Sequence, residues 1–153
     1  MGNQELKTKI QSFGIEITFP EEESQFLTLT VNPLKLHKLA KQLKEDIDTS
    51  FDYMFCQTGI DWEENLEVVY HLRSTIHGHE VVLRTQITDR EDPIVDSVYD
   101  LWKTADFHER EIFDLLGIRF NNHPDLRRIF LDDDWEGYPL RKDYVDEINI
   151  VEL

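Results

Sequence analysis

The residues best suited to chemistry gather in the last third of the chain. His108-Glu109 begins like a zinc-binding His-Glu-x-x-His helix, in which two imidazoles four residues apart share one face. The position four after His108 is Ile112, so the second ligand is missing and that chemistry is excluded. His123 and the run Asp132, Asp133, Asp134 offer an imidazole and hard oxygen ligands for a divalent ion. Three consecutive side chains converge poorly on one point, which weakens a metal-dependent enzyme as a reading. His77 and His79 flank Gly78 without a third ligand and read as solvated loop residues. The glycines at 2, 14, 59, 78, 117 and 137 are isolated, so there is neither a dinucleotide fingerprint nor a phosphate loop. Cys56, the single cysteine, cannot form an intramolecular disulfide or hold an iron–sulfur cluster. In the apolar run FDYMFC it reads as a small buried hydrophobe.

Charge raises a different question. Lys and Arg number 16 against 32 Asp and Glu, a formal net charge of −16. So acidic a chain is a poor general binder of nucleic acid, whose phosphates are held by Lys and Arg. Yet LRRIFLDDDWEGYPLRKDY concentrates Arg127, Arg128, Arg141 and Lys142 among Asp132, Asp133, Asp134 and Asp143. Just upstream lie Glu109, Arg110, Glu111 and Asp114, spaced so that Arg110, Glu111 and Asp114 share a helix side. Glu109 falls partly inward, where a carboxylate needs a cation, and Arg127 or Arg128 is the expected partner. That assignment makes the charges fasteners of an irregular loop. The same loop carries Trp135, Tyr138, Tyr144 and a stiffening Pro139, the composition of an interface anchor.

The elements that must position these residues are legible in part. FGIEITF and FLTLTV alternate as half-buried strands. Asn32 and Pro33 then open an amphipathic helix running to Ile47, with Leu36, Leu39, Ala40, Leu43 and Ile47 on its apolar face. FDYMFCQTGIDW, LEVVYHLRS and EVVLRTQIT read as three further strands, the last two a hairpin turned at Gly78. Ile94, Val98, Leu101 and Trp102 predict a helix after Pro93. Asp106 and Glu109 form a capping-box pattern for a second helix over Phe107–Leu116, ended by Gly117. Regularity fades after Phe120. The expected fold is α+β, with a mostly antiparallel or mixed sheet backed by amphipathic helices. A core of residues 1–120 would carry an irregular docking segment and tail over 121–153, as one domain overall. No stretch approaches the roughly 20 apolar residues of a membrane span.

These residues also carry a family resemblance. EREIFDLLGIRFNNHPDLRRIF and DWEGYPLRKDY resemble the C subunit of proton-pumping NADH–quinone oxidoreductase, the respiratory complex I. The likeness rests on Glu109, Arg110, Glu111, Asp114, Gly117, His123, Pro124, Asp125, Arg127 and Arg128. It continues through Trp135, Gly137, Pro139, Leu140, Arg141, Lys142, Asp143 and Tyr144, and covers roughly Leu34 to Tyr144. Leu116, LDDDW and Val145 depart from the family pattern without removing a charged anchor. The resemblance implies a structural and assembly component of the peripheral arm with no cofactor of its own. Iron–sulfur clusters, flavin and quinone would sit in partner subunits, among them the large quinone-site subunit and an iron–sulfur subunit. The location implied is the cytoplasmic face of the bacterial inner membrane, with ferredoxin as an alternative donor and a membrane-bound hydrogenase as an alternative complex. Because the chain stops soon after the motif, an unfused polypeptide is expected. Reversing the charge of Arg141 is expected to break assembly while leaving the domain folded.

Overall fold

The computed structural model describes residues 1–146. In chain order its elements are α1 (Asn3–Gln11), β1 (Ile17–Thr18), β2 (Leu27–Val31), α2 (Pro33–Glu45), β3 (Tyr53–Asp61), β4 (Leu66–Arg73), β5 (Glu80–Ile87), β6 (Ile94–Asp96), α3 (Ala105–Leu116) and β7 (Arg119–Asn121). Apart from Asp146, the expected tail lies outside the described residues.

The fold is α+β. Five strands form one mixed sheet in the order β1-β2-β5-β4-β3. Tight turns make β3, β4 and β5 an antiparallel meander: Trp62 N–H bonds the Asn65 carbonyl at one end, and Gly78, at φ 75°, turns the other. The β2–β5 pair alone is parallel within this sheet, and α2, β3 and β4 supply the long crossover that such a pair needs. Alternate residues of the strands, such as Leu29, Val68, Tyr70, Leu72 and Leu83, point to one face and are buried. Leu6 and Ile10 of α1, Leu36, Leu39, Ala40 and Leu43 of α2, and Ile112 and Leu116 of α3 join them in a single core. Gly59 lets α3 approach β3, since a methyl group there would stand 2.5 Å from the Leu116 side chain.

Several expectations need correction. The N-terminal segment forms α1, whose signal was only the four-residue spacing of Leu6 and Ile10; burying both is worth roughly 2 kcal/mol each. FGIEITF yields only the two-residue strand Ile17–Thr18. Asn32 caps α2 as predicted, accepting from Leu34 N–H at 2.9 Å. The helix ends at Glu45, however, because the Phe51 N–H and the Thr49 hydroxyl take the Leu43 carbonyl and turn the chain away. Ile47 is left 81% exposed.

The helix expected after Pro93 is absent. β-branched Ile94 and Val95 instead form β6, paired parallel with β7. A single turn at Val98–Trp102 accounts for the helical spacing of Val98, Leu101 and Trp102. β7 also extends regular structure to Asn121, past the expected limit at Phe120. Cys56 is half-buried rather than buried. His79 is buried rather than solvated: its Nε2 lies 2.7 Å from the Thr49 carbonyl, with His77 stacked beside it.

Candidate functional site: the C-terminal clasp

α3 carries two carboxylates that reach 0% exposure, Glu109 and Asp114, on different sides of the helix. Glu109 faces the sheet. Its Oε2 accepts from Gln57 Nε2 (3.0 Å) and Val98 N–H (3.1 Å), and its Oε1 from the Ser97 hydroxyl (2.5 Å). Burial raises its pKa to about 7, although all three donors work in the opposite direction. The expected partnership with Arg127 or Arg128 does not form, because both arginines lie on the other side of the helix. The capping box fails for the same reason: the helix starts at Ala105 after Thr104 without a side-chain cap, and Glu109 turns inward.

Asp114 receives the cation instead. Its Oδ1 lies 2.9 Å from Arg128 Nη1, while its Oδ2 accepts the N–H groups of Ile129, Phe130 and Leu131 at 3.1, 2.7 and 3.1 Å. Burial alone would raise its pKa, but these donors overcome it and hold the carboxyl below the ordinary range. Arg128 then ties down the far end of the loop. Nη2 donates to the carbonyls of Trp135 (3.0 Å) and Gly137 (2.9 Å), and the guanidinium lies 5.0 Å from the Tyr138 ring centre. Arg110 grips the carbonyls of Arg127 and Arg128, both at 3.2 Å. Glu111, expected on the same side as Asp114, is exposed.

A second set of fasteners holds residues 138–144. Gly117 ends α3 in the left-handed conformation, φ 76°, and Tyr138 lies so close that a methyl group there would meet its ring at 2.6 Å. Leu140 N–H bonds the Leu115 carbonyl at 2.9 Å. Arg141 donates to the carbonyls of Arg90 (2.7 Å) and Leu116 (3.4 Å) and pairs with Asp143 at 3.0 Å. Its side chain is only 12% exposed, so Arg141 is one of the cations turned inward, a choice that the sequence leaves open among Arg127, Arg128, Arg141 and Lys142. Lys142 N–H reaches Asp61, which Arg90 grips through two bonds of 2.6 and 3.0 Å. The Arg90 guanidinium holds the Asp61 carboxyl far below the usual range. Tyr144 packs on Gly137.

Of the four concentrated cations, Arg128 and Arg141 face inward. Arg127 is exposed and paired with Asp125, and the Lys142 ammonium is about half exposed. His123 is committed as well. Its Nδ1 accepts from Asp125 N–H at 3.0 Å, and Nε2 stands 3.1 Å from the Asp106 carbonyl and 3.2 Å from its carboxylate. Asp132, Asp133 and Asp134 point to solvent, and no three metal-ligating side chains converge among the described residues. Sequence reasoning missed Gln57, Asp61, Arg90 and Ser97. Gln57 and Asp61 had a signal, since strand alternation puts both on the inward face beside Tyr70 and Leu66.

Residues 29–148 match the family model of the 30 Kd subunit of respiratory-chain NADH dehydrogenase. The chain belongs to that family. The C/D subunit of NADH-quinone oxidoreductase from Phocaeicola vulgatus is 50% identical over 116 residues, covering 75% of this chain and 22% of that protein. The C subunit from Chloroherpeton thalassium is 47% identical over 104 residues, covering 67% and 43%. The C subunit from Roseiflexus castenholzii is 40% identical over 120 residues, covering 76% and 68%. The chain therefore spans less than half the length of the first two relatives. Among solved structures, the membrane-bound sulfane sulfur reductase, an archaeal respiratory membrane complex, contains a chain with a TM-score of 0.79 and 26% identity, covering 95% of this chain and 86% of that one. The clasp motif, Glu109 to Tyr144, lies wholly inside the span matched to the 30 Kd family.

Proposed function

We propose that this member of the 30 Kd family is a scaffold in the peripheral arm of a membrane-associated NADH–quinone oxidoreductase, carrying no redox group itself. Electrons would pass through iron–sulfur clusters and flavin in partner subunits to quinone, with proton translocation coupled to that transfer. The large quinone-site subunit and an iron–sulfur subunit are the proposed neighbours, at the cytoplasmic face of a bacterial membrane. Among the described residues, no helix is long and apolar enough to cross a membrane, so attachment would run through partners.

One observation carries the reading. Four charged residues of the family motif, Arg110, Asp114, Arg128 and Arg141, are spent on holding the C-terminal segment in a fixed shape, and that shape presents apolar groups outward. Phe130, Leu140 and Val145 are 64%, 60% and 72% exposed, beside a partly exposed Trp135. A rigid segment loses little entropy on docking, and exposed aromatic groups are effective anchors. The sulfane sulfur reductase neighbour supports a second reading, the same role in a related energy-converting complex. Identities of 40–50% to proteins named for NADH and quinone, against 26% to that neighbour, favour the first.

Pull-down of the tagged chain from its own membranes in mild detergent tests the role. Cluster-bearing polypeptides and quinone reduction in the eluate are the expected result. A chain that elutes alone, under conditions that keep such assemblies intact, overturns it.

A further inference from the structure

β3 is the outer strand of the sheet, and its free edge runs beside a groove. The bond from Trp62 N–H to the Asn65 carbonyl sets the antiparallel alternation. Ile60, Thr58 and Cys56 therefore exchange bonds with β4, and the backbone groups of Gln57, Gly59 and Asp61 point away from it. None of those outward backbone groups has a partner among the described residues. Beyond the bulge, the Met54 carbonyl is closed off by the Thr104 hydroxyl at 2.8 Å. Exposed edges are usually guarded by Lys, Pro or a covering element, but YMFCQTGID contains neither residue.

The groove encloses about 220 Å³ between β3 and α3. Gln57 and Gly59 line one side, Ile112 and Leu115 the other, with Leu140 at the mouth. Leu140 stays 60% exposed although its backbone is bonded to α3. Glu111 stands on the rim, exposed and in no ion pair among the described residues.

We propose that this edge and groove receive an extended strand of a partner polypeptide. The strand pairs with the outward backbone groups of Gln57, Gly59 and Asp61, so that the sheet gains a sixth strand. Its inward residues fall beneath α3, where an aliphatic side chain seats against Leu115 and Leu140. A neighbouring Lys or Arg meets Glu111. The charge follows from complementarity: a rim carboxylate on a chain of net charge −16 repels an acidic segment. A second copy of β3 fits poorly, because Tyr53–Asp61 has no Lys or Arg to offer Glu111.

The inference rests on the scaffold reading, and hydrogen exchange separates the two. The assembly purified through the tagged chain is compared with the free chain over the peptide Tyr53–Asp61. In the assembly, the three outward amides are expected to exchange at least ~100-fold more slowly. Glu111→Lys and Leu140→Asp change exposed side chains; each is expected to keep the free chain's melting profile and to cut partner recovery roughly ten-fold. Partners that co-purify while β3 exchanges as in the free chain, or variants that recover partners at the wild-type level, overturn the inference and leave the scaffold intact. Protection that appears in the free chain as its concentration rises means that a second copy occupies the edge, which also overturns it. A wild-type chain that brings no partners removes the scaffold reading, and this inference with it.

Discussion

The two ends of α3 each bury a carboxylate, and the surroundings drive them in opposite directions. Glu109 meets three uncharged donors and is pushed up to about 7. Asp114 meets three backbone N–H groups and a guanidinium, and is held below the usual range. Zero exposure alone does not decide the charge state; three backbone N–H groups, led by that of Phe130, together with the Arg128 guanidinium outweigh burial at Asp114, whereas burial wins at Glu109. The sheet-facing end of the helix is thus a neutral hydrogen-bonded joint at low pH, and the clasp-facing end is an ionic one at neutral pH.

Removing the anion from the ionic end should have the largest effect. Asp114→Ala leaves Arg128 buried without its carboxylate and strips three N–H groups of their acceptor, and is expected to cost about 3–5 kcal/mol. Urea unfolding measures it, and a loss under about 1 kcal/mol would mean that the clasp is held by packing alone. The neutral end should respond with the opposite sign. A carboxyl whose folded pKa of about 7 exceeds its unfolded 4.5 destabilises the fold progressively between those values, by about 3 kcal/mol in total. Glu109→Gln is therefore expected to stabilise by about that amount at pH 8 and to change little at pH 4. Equal effects at both pH values would show that ionisation is not the cause.

Asp114 supplies the complementary pH dependence. Its stabilisation is present above the unfolded value of 3.8 and is lost as pH falls through its lower folded value. For these two groups together, wild-type stability should peak between about pH 4 and 5 and fall on both sides, a shape that melting curves across pH reveal.

Smaller effects sharpen the boundary between the clasp and its surface. Arg141→Glu should cost about 2 kcal/mol and expose residues 138–144 to protease while the sheet stays protected. Lys142→Ala, which keeps the backbone bond to Asp61, should stay within about 0.5 kcal/mol. If Lys142→Ala nevertheless lowers partner recovery, its ammonium belongs to an interface.

The parts of this molecule that follow a simple period were legible beforehand. The meander strands and α2 alternate or repeat on one face, and Asn32, Pro33 and Gly117 mark boundaries through fixed backbone chemistry. β6 was not legible, because a three-residue strand and one helical turn together imitate an amphipathic helix. The pairing of the charges was hidden for another reason. Composition named the fasteners, but Glu109 and Asp114 are distinguished only by the side of the helix that Ser97 and Arg128 reach, which is set by tertiary structure. Asp61 shows the same limit, since its partners Arg90 and Lys142 lie 29 and 81 positions beyond it.

The parallel pairing of β2 with β5 also constrains the order in which the chain can fold. During synthesis β2 emerges with α1 and its antiparallel neighbour β1, well before its parallel neighbour β5. The meander can form from local contacts as soon as it is made, whereas β2 must wait, and that late, non-local closure is the slow step expected of such a topology. A mutation that weakens β2 should then slow maturation more than one that weakens β3, even where both cost the finished protein the same.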